Sequence, residues 1–219
     1  MRRAYTVICD ASDKDWLLHR KGLLTGSDAA TIVGENRYKS YDKLVQEKAG
    51  LRDDTIPQNK YMWFGSEMER ANMAAFSKLS GIRCRPMNVL LGSVQIPQYG
   101  ATIDGMCVFP EKGIKIPYWN RQMYSGHFPT RRAGLGLVEM KNVGEKNLEL
   151  WSGMEPPKAY WWQVQAQLDV TGLPWAVLVA KIGAADMRAY FIEKDDFSCE
   201  HLRSEIQTFW QDVEKVKSK

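Results

Sequence analysis

The sequence lacks the features that mark membrane, secreted and metal-cluster proteins. It contains no run of about 18 apolar residues, so we expect no membrane-spanning helix. Its four cysteines are far apart and include no Cys-x-x-Cys pair, which argues against a zinc or iron–sulfur site and against a disulfide framework. The first apolar run is too short and too soon charged for a signal peptide. These absences predict a cytoplasmic protein with ordinary free thiols.

Two further absences bear on the architecture. The chain has no glycine-rich phosphate loop of the Walker or Rossmann kind. It also has no Ser-, Gly- or Pro-rich linker, so we expect a single domain over residues 1–219. A chain of 219 residues that is 44% hydrophobic is long enough to bury one substantial core. The net charge of +4 does not by itself indicate a class of partner.

Apolar periodicity and capping residues predict six helices and five strands. The helices are predicted at 13–21, 25–34, 41–50, 59–81, 159–172 and 197–217. The strands are predicted at 82–92, 100–109, 136–142, 175–183 and 187–193. We expect Ser12 to cap the first helix. The order of elements indicates an α/β (α+β) fold with a mixed central β-sheet flanked by helices, and the small number of strands favours a nuclease-like core.

The segment GLVEMKNVG, residues 136–144, is predicted to be a buried strand, yet it carries two charges. Glu139 and Lys141 are two positions apart, so they share one face of the strand. A buried charge is costly unless it is paired or bound to a metal. A lone Glu-x-Lys is most simply a salt bridge at a sheet edge. Asp104, at the end of another apolar strand, completes the Asp…Glu-x-Lys set of metal-dependent nucleases.

This residue set suits the hydrolysis of a phosphodiester bond. That reaction requires charge on the phosphate to be neutralised and a water molecule to be made nucleophilic. Carboxylate oxygens are preferred ligands of Mg²⁺ and Mn²⁺. A lysine beside them can orient the attacking water, help to deprotonate it and offset developing negative charge.

Two helices can add polar groups to the same site. We expect the helix at 59–81 to pack through an apolar stripe formed by Phe64, Met68, Ala71, Ala75 and Leu79. Glu69 borders this stripe, and Glu67 lies on another side of the helix. Gln163 and Gln167 are one turn apart on an aromatic-rich helix, and we expect at least one amide to face inward. Taken alone, each of these side chains is most simply solvated.

Five segments together resemble the lambda-exonuclease family, the YqaJ-type viral recombination nucleases of the PD-(D/E)XK superfamily. They are DWLLHRKGLLTGSDAATIVG, FGSEMER, ATIDG, LVEMK and YWWQVQAQLDVTG, in the order of the family across residues 15–172. The resemblance implies a restriction-endonuclease-like core and Mg²⁺-dependent digestion of double-stranded DNA from the 5′ end. The 3′ overhang would serve a single-strand annealing protein in phage-type recombination. The resemblance also implies two metal ions, a ring-shaped trimer and, for a phage or prophage protein, the host-cell cytoplasm.

The resemblance assigns roles to individual residues. Asp104 and Glu139 match the metal carboxylates, and the Met140 carbonyl matches an added backbone ligand. Lys141 matches the catalytic lysine, and Gln163 matches the site glutamine. Glu69, four residues after Gly65, matches the acid that holds the second metal, and this match selects it over Glu67.

Three other residues match positions at which the family binds phosphate. Arg20 and Ser27 match the residues near the terminal 5′ phosphate, and Thr102 matches a further phosphate-binding hydroxyl. Ser27 begins a predicted helix, where free N–H groups favour an anion, and an arginine can add a bidentate clamp. Without the resemblance, Ser27 is simply a second capping candidate and Arg20 a surface charge.

The segment 109–134 is an insert between the two catalytic strands and departs from the family pattern. Five basic residues against a single acid give it a net charge of +4, and it also carries the aromatic residues Tyr118, Trp119, Tyr124 and Phe128. Basic and aromatic residues together suit contact with nucleic acid. Alternatively, the aromatics pack on the core or on a neighbouring subunit. The candidate DNA contacts are Trp119, Arg121, Arg131 and Arg132. Because the insert joins the catalytic strands, we expect it to emerge near the site.

Other functions are compatible with the same residues. An endonuclease or an RNA-acting nuclease would use an identical catalytic set. A DNA-binding module that has lost catalysis is an alternative of a different class, although buried charges without metal or substrate would destabilise it. The sequence leaves the strand polarity, the processivity and the choice between Mg²⁺ and Mn²⁺ open.

Overall fold

Six strands and six helices make up the part of the chain that the computed structural model describes, residues 4–52, 59–114, 129, 131–184 and 186–218. In chain order they are β1 (Tyr5–Asp10), α1 (Trp16–Lys21), α2 (Gly26–Ile32), α3 (Tyr41–Lys48), α4 (Lys60–Ser80), β2 (Arg83–Ser93), β3 (Gly100–Val108), β4 (Leu135–Val143), α5 (Lys158–Thr171), β5 (Trp175–Ile182), β6 (Asp186–Glu193) and α6 (Asp196–Lys217). Two short 3₁₀ turns, Glu145–Asn147 and Glu149–Trp151, lie between β4 and α5.

The strands form one mixed sheet in the order β1-β2-β3-β4-β5-β6. All neighbouring pairs are antiparallel except β4 and β5, which are parallel. A parallel pair needs a crossover connection, and α5 supplies it. This arrangement confirms the predicted mixed sheet with flanking helices.

The two faces of the sheet are buried by different helices. Residues of α2, α3, α5 and α6 form the core on one face, and α4 covers the other. In β5, Ala176 and Leu178 face the first core while Val177 and Val179 face the second. The nearly continuous apolar run of this strand therefore arises from burial on both faces. No helix of the described residues is both long enough and apolar enough to cross a lipid bilayer.

The amino-terminal strand was not predicted, and the first helix differs from the prediction. In β1 only Cys9 is buried, and the pairing with β2 shifts register between Val7 and Cys9. A register shift in an exposed edge strand removes the alternation by which strands are recognised in sequence. Ser12 does not cap α1, because its hydroxyl and its N–H donate to Asp10, and the helix begins later, after Asp15.

The buried face of α4 differs from the predicted apolar stripe. Phe64 is 55% exposed, and both alanines of the predicted stripe are exposed. The side chains that face the sheet are instead Asn72, Met73, Phe76 and Ser80. Three of the inward residues of α4 are polar or charged: Glu69, Asn72 and Ser80. A search for apolar residues alone therefore predicts the wrong buried face for this helix. The correction puts Glu69 on the inward side of the helix rather than at its border.

Close packing between β4 and β5 provides a test of the fold. A Cβ at Gly136 would lie 2.3 Å from Cε3 of Trp175, whose side chain is fully buried. We expect Gly136→Ala to lower the free energy of unfolding by about 1–3 kcal/mol or more, because the rigid indole cannot move away. Urea unfolding followed by circular dichroism measures the change. Gly144→Ala is the matched control, since its Cβ meets no atom within 4 Å. Equal losses in the two variants would contradict the packing.

Candidate active site

The candidate site lies where two neighbouring strands diverge. β3 and β4 pair from Val108 and Leu135 to Gly105 and Val138, and the ladder goes no further. Beyond its last pair, the carboxylate of Asp104 accepts a hydrogen bond of 2.7 Å from the backbone N–H of Met140. This bond satisfies a backbone donor that the ladder no longer reaches. It also fixes the carboxylate at the point where β3 and β4 diverge, which we call the fork.

Glu139 is the most buried carboxylate of the site and is bound by three donors. Its side chain is 3% exposed and accepts hydrogen bonds from Lys141 at 2.7 Å, Gln163 at 2.5 Å and Gln167 at 2.7 Å. The lysine and the glutamate share one face of β4, as strand alternation requires. Both glutamines reach it from α5. The Lys141 ammonium lies 5.4 Å from the centre of the Tyr160 ring.

Gln167 plays a larger part than the sequence indicated. Besides its bond to Glu139, its amide donates to the backbone oxygen of Thr102 at 2.8 Å, so it connects α5 to both β3 and β4. Thr102 itself lies at the site, and its hydroxyl is a buried oxygen without a hydrogen-bond partner. The one-turn spacing of two glutamines, both close to large aromatics, was the available signal for this pair.

Glu69 enters the site from α4 on the other side of the sheet. One of its carboxylate oxygens is buried without a hydrogen-bond partner, and the side chain of Asn88 lies close enough to favour the charged form of the carboxylate. Burial and the charge of Glu139 raise its pKa. An amide pair positions this helix, since Asn72 donates to Asn142 at 2.7 Å and Asn142 donates to the Gly65 oxygen at 2.9 Å.

Sequence reasoning did not identify Asn88 as a site residue. It lies in an irregularity of β2, where pairing with β3 shifts between Pro86 and Val89, and its φ of 48° is left-handed. Asparagine tolerates this conformation better than other side chains do. A proline and an asparagine inside an apparent strand were the signal for a bulge, and bulges often re-aim side chains at functional sites.

Electrostatics favours a divalent cation among these groups. Burial and the neighbouring charge of Glu139 raise the pKa of Asp104 well above its ordinary value. Burial alone would lower the pKa of Lys141, but Glu139 and Asp104 together raise it. Four buried side-chain oxygens of these residues have no hydrogen-bond partner, namely Glu69 Oε1, Asn88 Oδ1, Thr102 Oγ1 and Gln167 Oε1. Surplus negative charge and free oxygen ligands are what Mg²⁺ or Mn²⁺ would satisfy, so the donor set fits such an ion.

A separate group of potential ligands involves one of the cysteines. Among the described residues, only Cys9, Asp13 and His19 form a set of three whose ligand atoms all lie within 4.8 Å of one another. None of the predicted metal ligands belongs to this set. The carboxylate oxygens of Asp104, Glu139 and Glu69 therefore do not all lie within 4.8 Å of one another. All four cysteines are free.

The residues predicted to bind a terminal phosphate lie together beside α5. Arg20 donates a hydrogen bond of 3.1 Å to the hydroxyl of Ser27 in the first turn of α2. Thr25 is the N-cap of this helix, and its N–H donates to Asp28 at 3.0 Å. Gly26 brings α2 against α5, because a Cβ there would lie only 3.0 Å from the backbone oxygen of Gln163.

The insert leaves the sheet at the end of β3 and β4 that is far from the candidate site. It departs after Val108 and returns at Leu135, four residues from Asp104 and from Glu139, which is about 13 Å along a strand. The insert therefore begins and ends farther from the fork than the sequence suggested. Trp119 and Arg121 lie outside the described residues.

The two arginines that precede β4 are both described. Arg131 is exposed. Arg132 pairs with Glu193 at 3.0 Å and lies 6.0 Å from the centre of the Phe191 ring, so it packs on β6. The two neighbours in sequence therefore have different surroundings.

Comparisons with known proteins connect this geometry to a family. The YqaJ-like viral recombinase domain model matches residues 15–174. The uncharacterized protein YqaJ of Bacillus subtilis (strain 168) is 29% identical over 209 residues, which cover 93% of this chain and 57% of that protein. The chain thus spans little more than half the length of this curated relative.

Solved structures show the same fold. LHK-Exo, an alkaline exonuclease from Laribacter hongkongensis, aligns in its complex with dAMP with a TM-score of 0.69 and 20% identity, over 94% of this chain and 95% of that one. A phage-related exonuclease from Haemophilus somnus 129PT aligns with a TM-score of 0.58 and 14% identity, over 90% of this chain and 95% of that one. These likenesses confirm the predicted fold class.

The raised pKa of Asp104 leads to a test of the site's electrostatics. Its charged form is penalised in the folded state, so above its folded-state pKa it lowers stability, and the penalty disappears as pH falls toward its ordinary value. We therefore expect Asp104→Asn to stabilise the metal-free protein at pH 8 by about 1 kcal/mol, or roughly 2–4 °C for a chain of this size. Thermal unfolding in EDTA at pH 8 and at lower pH measures the effect.

The same variant should respond differently to Mg²⁺. The wild type should gain stability from Mg²⁺ because an ion that binds only the folded state stabilises it, and Asp104→Asn should lose most of that gain. Asp186→Asn, at an exposed position, is the control and should behave as the wild type does. A metal-free Asp104→Asn protein that is less stable than the wild type at pH 8 would contradict the electrostatic assignment.

Proposed function

The chain belongs to the YqaJ-like viral recombinase domain family, and from this premise we propose that it is a metal-dependent DNA exonuclease. The reaction is hydrolysis of phosphodiester bonds from the 5′ end of double-stranded DNA, which leaves 3′ overhangs for phage-type recombination. The observation that supports it most is the convergence of Asp104, Glu139, Lys141 and Gln163 at one strand fork, with Glu69 opposite.

The acidic residues would hold the metal ions. Asp104, Glu139, Glu69 and the Met140 carbonyl supply oxygen atoms of the kind that Mg²⁺ and Mn²⁺ prefer, and two ions suit this set. When bound, such ions neutralise charge on the phosphate and make a coordinated water more acidic. Gln163 and Gln167 hold the Glu139 carboxylate in one orientation through a bond to each of its oxygens.

Lys141 acts on the water and on the developing charge. Glu139 and Asp104 raise its pKa, so it carries its proton at neutral pH in the absence of metal and is positioned as a hydrogen-bond donor. From this place it can orient the attacking water and stabilise the negative charge of the transition state. The Tyr160 ring lies 5.4 Å from the ammonium, within the range of a cation–π interaction.

The phosphate-binding pair supports digestion from the 5′ end. Arg20 and Ser27 form one hydrogen-bonded unit beside the helix that carries Gln163. A terminal 5′ phosphate bound there would place the next phosphodiester bond toward the carboxylates, so that a mononucleotide is released. Thr102 adds a hydroxyl near the same path.

The remaining partners follow from the family. We infer that the substrate is a double-stranded DNA end, that a single-strand annealing protein uses the overhang, and that the chain assembles into a ring-shaped trimer. The compartment of action is the cytoplasm of the host cell.

Digestion of labelled DNA tests the proposed function directly. A linear duplex labelled at one 5′ end should release labelled mononucleotide with Mg²⁺ and none with EDTA, and a covalently closed circle should stay intact. Nicking of the circle would replace the proposal with an endonuclease. A wild type that cleaves neither DNA nor RNA but shifts DNA on a gel would replace it with a binding module.

Substitutions of two glutamates on α4 provide a matched pair for the same assay. Glu69→Gln should lower the rate about a hundredfold or more, because it removes one charge from the proposed metal ligands. Glu67→Gln should leave the rate within about twofold, since Glu67 is exposed. Glu139→Gln should be as inactive as Glu69→Gln. Similar rates for the two α4 variants would refute the choice of Glu69.

The two arginines before β4 should differ in their effects. Arg131→Ala should weaken DNA binding and lower the slope of log K against log salt by about one, as expected for an exposed phosphate contact. Arg132→Ala should instead lower thermal stability, because the side chain packs against Phe191 and pairs with Glu193. Fluorescence anisotropy at several salt concentrations and thermal unfolding measure the two effects. An unchanged salt slope for Arg131→Ala would exclude its phosphate contact.

A further inference from the structure

A cavity of about 440 Å³ opens between α2 and the start of α5, beside the candidate active site. Ser27 lines it from α2, Gln163 from α5 and Asn142 from the end of β4. The loop between α2 and α3 forms its outer rim with Tyr38. Its volume falls in the range of small-molecule sites, which is about 300–1,000 Å³.

Two residues that line the cavity belong to the groups that the proposed function assigns to successive phosphates. Ser27 and its partner Arg20 would bind the terminal phosphate, and Gln163 binds the catalytic carboxylate of Glu139. A single nucleotide joins these two phosphates in DNA, so its sugar and base must occupy the space between them. The cavity provides that space.

Tyr38 is the feature of the cavity that no role described above explains. Its side chain is 92% exposed, which leaves a large aromatic ring almost wholly in water. Aromatic side chains bury about 150–250 Å² when they are covered. The other two aromatics that line the cavity, Trp151 and Tyr160, already stack on each other with ring centres 4.9 Å apart.

The turn that carries Tyr38 is fixed by hydrogen bonds. The side-chain oxygen of Asn36 accepts the N–H of Tyr38 at 2.8 Å and that of Lys39 at 3.3 Å. The amide of Asn36 donates to the hydroxyl of Thr31 at 2.8 Å, and Thr31 is buried on α2. The exposed ring therefore sits on a turn anchored to the helix that carries Ser27.

We propose that this cavity is the subsite for the terminal nucleotide that is excised and that Tyr38 stacks on its base. The proposal rests on the proposed function, since it takes the positions of both phosphates from it. Stacking suits such a subsite because every base has an aromatic face, so the contact is independent of sequence. An enzyme that digests DNA of any sequence needs this kind of contact.

Substitution of Tyr38 separates stacking from other roles. Stacking on one base is worth about 1–3 kcal/mol, so Tyr38→Ala should raise KM for a 5′-phosphorylated duplex roughly tenfold and change kcat less. Tyr38→Phe keeps the ring and should restore KM to within about twofold of the wild type. Phe197→Ala is the matched control, since Phe197 is 81% exposed at the start of α6 and does not line the cavity. Melting temperatures of all variants should equal that of the wild type.

A fluorescent base reports the contact itself. The duplex carries 2-aminopurine as its 5′-terminal nucleotide, and binding is measured in EDTA so that no cleavage occurs. Wild type and Tyr38→Phe should quench its fluorescence, whereas Tyr38→Ala should not, at DNA concentrations that saturate each protein. The same label at a 3′ terminus should show no dependence on Tyr38.

Two negative outcomes have different meanings. If the wild type digests duplex ends but Tyr38→Ala keeps both KM and quenching, or Tyr38→Phe fails as Tyr38→Ala does, the stacking subsite is wrong and the exonuclease stands. If the wild type releases no mononucleotide from any duplex, the proposed function fails and the subsite fails with it.

Discussion

The structure depends on one carboxylate that has to be held almost out of water. The side chain of Glu139 is 3% exposed, and a charge in that position destabilises a fold unless donors surround it. One donor comes from its own strand, Lys141, and two come from α5, Gln163 and Gln167. Because α5 is also the crossover between the parallel strands β4 and β5, the same helix closes the sheet and satisfies the charge. The position of α5 is thus fixed by topology and by chemistry together.

Near this carboxylate, regular secondary structure is interrupted in several places. The β3–β4 ladder ends at Gly105, and Asp104 replaces the missing ladder partner of Met140. The strand β2 bulges at Asn88, in a left-handed conformation, and so brings an amide to Glu69. Each departure costs stability locally, and together they assemble negative charge and unpartnered oxygens. Departures from regular structure concentrated at one place are expected of a functional site rather than of a structural core.

The sequence correctly predicted helices and strands whose buried residues are apolar and serve only to pack the core. Examples are the helix α6, in which Leu202, Ile206 and Phe209 are buried, and the strand β5, which is buried on both faces. Prediction failed where a polar residue occupies an inward position, as on α4, where the search for an apolar stripe put the buried face on the wrong residues. It also failed at the sheet edge in β1, where most side chains meet water and no alternation develops. The proposed roles of the acidic residues came from the resemblance to a family, because a lone Glu-x-Lys pattern does not distinguish a metal site from a salt bridge. Asn88 required coordinates, since its role depends on a bulge.

The contact between α2 and α5 sets the distance between the proposed phosphate-binding pair and the proposed catalytic carboxylate, Glu139. Gly26 permits this contact, because a side chain there would meet the backbone oxygen of Gln163 at 3.0 Å and its Cγ at 3.3 Å. The next residue, Ser27, bonds Arg20, and Gln163 bonds Glu139, so a short chain of direct contacts joins the two sites. Since packed helices slide with difficulty, the spacing between a bound terminal phosphate and the scissile bond would be rigid. In the proposed reaction a rigid spacing sets the length of the product at one nucleotide, so the close packing at one glycine would determine what the enzyme releases as well as how the fold holds together.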